Sequence, residues 1–130
     1  MHSAEFKTLR ESLGLTISTL VKVIDVDERT LRKWESGKKQ PPQGVVDTLV
    51  GFDNLVNKTA AEIITYHQDS MKNGGQQGVV LERFVEAEDL AAAYPAFAGL
   101  PTMTFATVLF RVRQKFIELG VPVSIIYKKA

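Results

Sequence analysis

Apolar residues return every third or fourth position through residues 6–71, in runs punctuated by helix-start and helix-stop signals. Phe6, Leu9 and Leu13, with Arg10 beside them, predict a first helix that Ser3 can cap and Gly14 ends. Thr16 can cap a short second helix whose apolar stripe is Ile17, Leu20, Val21 and Ile24; Asp25 breaks the pattern. Asp27 can cap a third helix running through Glu35 or Ser36, with Gly37 after it in the left-handed stop position. Leu31 and Trp34, three apart, face inward on that helix. Pro41 and Pro42 stand where a fourth helix begins. Val45, Leu49, Phe52, Val56, Ile63 and Tyr66 carry it almost to Met71, with Gly51 and the segment 57–59 as points of bending or breakage. The stretch 73–78, "NGGQQG", is the clearest linker in the chain.

Past the linker the pattern changes. "VVLERFV" (79–85) predicts a strand, and "EAEDLAAAYP" a short helix with acids at its positive end and a proline stop. "TFATVLFRVRQKFIELG" is amphipathic, with Phe105, Leu109, Val112, Phe116 and Leu119 on one face and Gly120 at its end. "VPVSIIYK" is β-branched and predicts a second strand. The expected fold is mainly α. A helix-turn-helix bundle of 4–5 helices over residues 1–73 precedes a small α+β (strand-helix-helix-strand) segment over 79–130.

Composition narrows the class. The chain has 130 residues, 45% hydrophobic, and no cysteine, so disulfides and thiolate nucleophiles are excluded and a reducing compartment fits. Neither an apolar core of signal-peptide length in "MHSAEFKTLR" nor a run of membrane-spanning length is present, and a cytoplasmic protein is expected. The net charge of +1 hides an uneven layout: residues 1–40 carry eight basic and six acidic side chains, 41–110 three and eight, 111–130 five and one. Positive ends around an acidic middle suit contact with an anionic polymer through one patch. His2 and His67 are far apart in sequence and lack cysteine partners, so no metal site is expected, and no cofactor. Glu86, Glu88 and Asp89 complement a helix dipole rather than form a catalytic cluster. With no nucleophile elbow and no phosphate-cradling glycine loop, an enzyme is not expected.

Three short helices with a tight turn between the second and third describe a helix-turn-helix. The third helix opposes a polar face, Glu28, Arg29, Arg32 and Lys33, to the apolar pair Leu31 and Trp34. A major groove admits one helix, and side chains near its N-terminus reach base edges. Arg29 suits the O6 and N7 of guanine, Glu28 a cytosine amino group, and Thr30 a thymine methyl or a phosphate. Arg32 belongs to the same candidate base-reading set, and Lys33 reaches either a base or the backbone. Thr16 and Ser18 at the start of the second helix, and Lys38 and Lys39 past the third, are expected to meet phosphates. Such contacts add salt-dependent affinity but little sequence choice. Trp34, sharing a face with Leu31, is expected in the core rather than stacked on a base. Arg111, Arg113 and Lys115 are expected as surface charges on a helix end.

These residues carry a resemblance. "LRESLGLTISTLVKVIDVDERTLRKWESGKKQPP" resembles the Cro/λ-repressor-like (XRE-type) helix-turn-helix family, over residues 5 to about 55. "WESGK" is the most specific part. The resemblance implies double-stranded DNA as partner and an ion pair between Arg10 and Glu35 tying the first helix to the third. A narrower likeness is to small phage and plasmid autorepressors of anti-CRISPR operons, which join such a domain to a strand-helix-helix-strand segment. The chain departs from the family at three positions: Ile17 where Gln usually binds a phosphate, Val21 where a small residue is preferred, and Asp25 where the turn usually has Gly. Asp tolerates a left-handed backbone, so the turn survives.

One recognition helix reads too few base pairs for selective binding, whereas two related by a two-fold read a palindromic operator. The second half, small for an independent core, is therefore expected to hold a homodimer, its strands pairing across the two-fold, through Val79, Leu81, Phe105, Leu109, Val123 and Ile125. The function expected is a dimeric repressor, acting on its own operon. The alternative is an antitoxin-type protein whose C-terminal half wraps a partner. A ligand-sensing second half is disfavoured, since so small a core leaves little room for a pocket.

Overall fold

The computed structural model describes residues 1–129. Helix α1 (Ser3–Ser12) starts one residue earlier than the sequence suggests: His2, not Ser3, is the N-cap, its Nδ1 accepting the Ala4 N–H at 3.0 Å. Helices α2 (Ile17–Ile24) and α3 (Glu28–Ser36) follow, then α4 (Gln43–Lys72), which runs unbroken through Gly51 and residues 57–59. Its i, i+4 ladder is maintained by burial of Val46, Leu49, Val56, Thr59 and Ala60 along one side. That contact outweighs the local propensity cost of one glycine, about 1 kcal/mol. No helix among the described residues is long and apolar enough to cross a membrane.

The second half is strand β1 (Val79–Arg83), helix α5 (Ala87–Ala93), one 3-10 turn (Pro95–Phe97), helix α6 (Thr102–Glu118) and strand β2 (Val123–Tyr127). The protein is mainly helical with this one small sheet, as the sequence led us to expect. β1 is shorter than the predicted 79–85, because Phe84 turns inward onto Tyr94 and Phe105, ring centroids 6.1 and 5.3 Å away. β1 and β2 pair with each other, parallel, Leu81 opposite Ile125. Strands joined by a helical crossover of this length can lie side by side in one direction. Each strand thus has one partner within the chain itself, a pairing that the sequence reading did not include.

Packing adds what spacing along the chain did not give. The interior is continuous: Phe6, Leu13, Leu31, Trp34, Leu49, Val56, Phe84, Phe105, Val112 and Phe116 belong to one buried cluster. Helix α4 serves both halves. Gly14 sits so close to α6 that a Cβ there would lie 2.6 Å from the Met103 carbonyl oxygen. Arg111, expected as a surface charge, donates to Asp53 at 3.2 Å and to Asn57, clasping α6 to α4. Ending the chain at residue 73 would therefore strip α4 of its covering helix. The expected dimer-interface residues also divide. Val79, Leu81, Phe105 and Leu109 are buried within the single chain, because sheet and α6 pack on each other and on α4. In this fold each is left no more than 3% exposed. Val123 is half-buried and Ile125 exposed, while Leu119, predicted on the inner face of α6, is exposed. An open cleft of about 560 Å³, walled by Tyr66, His67, Leu81, Phe84, Tyr94 and Phe105, stands where little room for a pocket was expected.

Candidate nucleic-acid interface

Local rules set the geometry of α2 and α3. The Thr16 hydroxyl caps α2, accepting the Thr19 N–H at 3.1 Å. Asp25 ends it with φ 54 and ψ 55, the left-handed conformation that the family turn usually assigns to Gly. Two residues on, Asp27 caps α3, its carboxylate accepting the Thr30 N–H at 2.7 Å. That hydrogen bond, with a second from the Thr30 hydroxyl, holds the Asp27 carboxyl below its ordinary range, so the cap is an anion at neutral pH. Gly37, at φ 82, closes the helix.

Behind the exposed face lies a clamp. Arg10 Nε and Nη2 donate to the two Glu35 carboxylate oxygens at 2.6 and 2.9 Å, and its Nη1 donates to the Leu15 carbonyl at 2.8 Å. One guanidinium thus joins α1, α3 and the loop leading to α2. Both side chains are only 7% exposed. The Glu35 hydrogen bond raises the Arg10 pKa against the opposing effect of burial, so the pair stays ionised. Trp34 packs edge-on against Phe6, centroids 6.2 Å apart, and Leu31 is fully buried. Trp34 is a core residue and faces away from any ligand of α3.

The opposite face of α3 is open. Glu28, Arg29, Arg32 and Lys33 line one shallow groove with Ser36 and Lys38. Arg32 is engaged with Glu28 one turn earlier, at 2.6 and 3.0 Å. Both are more than half exposed, and such a pair contributes about 0–1 kcal/mol, so a nucleic acid can separate it at little cost. Arg29 is exposed and has no hydrogen-bond partner among the described residues, leaving its two-pronged donor available. Thr30, half-buried and turned to the Asp27 cap, lies outside the groove. Lys39 lies outside it too; its N–H reaches back to the Lys33 carbonyl at 3.2 Å and anchors the start of the Lys38–Lys39 exit to the helix end. Thr16 and Ser18 are exposed at the N-terminus of α2, where unpaired amides and the helix dipole favour an anion. Ser36 was missed by the sequence reading; its place one turn beyond Arg32 and Lys33 was the available signal.

The arrangement is a helix held rigidly from behind, presenting a cationic, donor-rich groove in front. It carries what a helix needs to enter the major groove of a duplex. No curated protein matches the chain. A family model described as "Helix-turn-helix" matches residues 6–55, spanning α1 to the first half of α4. Over these residues the chain is similar to the Cro/repressor-type (XRE) helix-turn-helix family of DNA-binding transcription regulators.

Proposed function

We propose that the protein is a cytoplasmic, dimeric repressor that binds an inverted repeat, most simply in its own operon, with α3 of each copy in a major groove. The observation that carries this reading is the contrast across α3: Leu31 and Trp34 buried, Glu28, Arg29 and Arg32 exposed. Glu28, Arg29, Thr30, Arg32 and Lys33 would read bases; Thr16, Ser18, Lys38 and Lys39 would hold phosphates. Residues 79–130 would hold the dimer and so set the spacing of the half-sites. Their strand-helix-helix-strand order supports the narrower likeness to phage and plasmid autorepressors. The antitoxin-type reading asks for a C-terminal half left exposed until a partner arrives. Burial of Phe105, Val108, Val112 and Phe116 within the chain favours the repressor instead.

The test is Arg29→Ala. It should weaken binding at the preferred site by roughly 1–3 kcal/mol, the worth of a bidentate base contact. On random duplex the loss should be much smaller, because such binding is mostly phosphate charge. Competition between specific and random duplexes measures the difference. Equal losses on both would make Arg29 a phosphate ligand and move the reading to Glu28, Arg32 or Lys33.

Salt separates the second class of contact. Lys38→Ala should reduce the slope of log K against log salt concentration by about one unit per site. A titration of affinity between low and physiological salt gives that slope directly, and an unchanged slope removes Lys38 from the interface.

A further inference from the structure

β2 presents a free hydrogen-bonding edge. The Val79 N–H donates to the Pro122 carbonyl at 2.9 Å and the Lys128 N–H to the Arg83 carbonyl at 2.8 Å. In a strand, the N–H and C=O of one residue point to the same side and alternate from residue to residue. The even-numbered positions of β2 therefore bond to β1. The backbone groups of Val123, Ile125 and Tyr127 point the other way, with no backbone partner among the described residues. The other sheet edge differs: Val80 and Glu82 of β1 line the cleft closed on its far side by Tyr66 and His67 of α4. The open strand, Val-Ser-Ile-Ile-Tyr, carries neither the proline nor the charge with which exposed edges are ordinarily protected. Ile125, Ile126 and Tyr127 are 38, 48 and 68% exposed.

We infer that this edge is the seam of the dimer, two copies of β2 pairing antiparallel about a two-fold axis that passes through Ile125, to give one sheet in the order β1-β2-β2-β1. This rests on the proposed dimeric reading and names its contact, direction and register. The edge is self-complementary in that register alone. Ile125 faces the partner's Ile125, and Val123 faces the partner's Tyr127, so each outward N–H and C=O on both strands is satisfied. Val123, Ile125 and Tyr127 share a face of the sheet with Val79 and Leu81. The seam therefore aligns an Ile pair between two Val–Tyr pairs, the β-branched and aromatic combinations that stabilise antiparallel neighbours. Charge selects the direction. Antiparallel pairing sends Lys128 and Lys129 of the two copies to opposite ends of the seam; parallel pairing would set them side by side. A five-residue strand alone falls short of the roughly 800 Å² per partner of a standard interface. Met103 and Phe110, both exposed, line the same groove as Ile125 and extend the apolar surface beyond it.

The absence of cysteine makes the register directly readable. Under mild oxidation Ile125→Cys should cross-link most of the protein at twice the chain mass, since hydrogen-bonded partners lie about 5.5 Å apart, within disulfide reach. Val123→Cys alone should not, because its two copies would be roughly 13 Å apart along the seam. Val123→Cys refolded together with Tyr127→Cys should cross-link as a heterodimer. Ile117→Cys, exposed on α6, is the collision control. Ile125→Lys should leave the thermal melt of the monomer in place and weaken self-association, measured by sedimentation, at least tenfold. Cross-linking of Val123→Cys by itself would overturn the direction. A chain that is dimeric and binds duplex DNA, yet shows no more cross-link at Ile125→Cys than at Ile117→Cys, would overturn the seam while leaving the dimeric reading standing. A chain that remains monomeric at about 100 μM would overturn both, leaving the β2 edge to a different partner.

Discussion

Glu35→Ala is expected to destabilise the fold by about 3–5 kcal/mol, the penalty for leaving one member of a buried ion pair without its partner. Arg10 cannot escape by losing its proton. Its pKa in the native pair is already raised by Glu35, and even unpaired a guanidinium stays charged at any ordinary pH. The strain would fall on three elements at once, since Arg10 also holds the Leu15 carbonyl. The double change Arg10→Met with Glu35→Leu should recover most of the loss, because apolar residues of similar volume often replace a buried pair at no net cost. Recovery should be incomplete, as the Leu15 carbonyl then lacks its donor. Urea unfolding of the two single variants and the double variant gives the three free energies. A single-variant loss under 1 kcal/mol would mean that the pair behaves as an exposed one.

Trp34→Ala is the second large effect, and its signature in binding differs from that of Arg29→Ala. Trp34 is 5% exposed and packs on Phe6, so truncation leaves a cavity in a small helical core, at a cost of about 3–5 kcal/mol. The loss is of the platform that carries α3 rather than of one contact. Affinity for specific and random duplexes should therefore fall together, by the fraction of protein unfolded at the assay temperature. Thermal melts run beside competition binding separate the cases. A Trp34→Ala protein with a normal melt and a selective loss at the preferred site would instead place the indole against the duplex.

The N-terminal elements were legible in the sequence because their determinants are local. Thr16, Asp27 and Gly37 act on backbone groups within a few residues of themselves, and Leu31 with Trp34 marks the buried side of α3 by spacing alone. Local signals failed in proportion to their distance from the contact that decides. Gly51 reads as a break within its own turn, yet α6 and the helical core keep α4 continuous. Phe84 reads as strand until the aromatic cluster of Tyr94 and Phe105 draws it inward.

The sequence by itself determined the helix-turn-helix, its family resemblance and the polar face of α3, since caps, left-handed stops and helical periodicity are properties of short segments. Only the tertiary structure decided which apolar residues remain available to a partner. Period and hydrophobicity mark Val79, Leu81, Phe105 and Leu109 as buried but cannot say against what, and α4 and α6 cover them within one chain. The parallel pairing of β1 with β2 likewise depends on where a crossover of two helices returns the chain, a contact between residues more than forty positions apart. It is that pairing, not the composition of either strand, that leaves Val123, Ile125 and Tyr127 with their backbone groups facing outward.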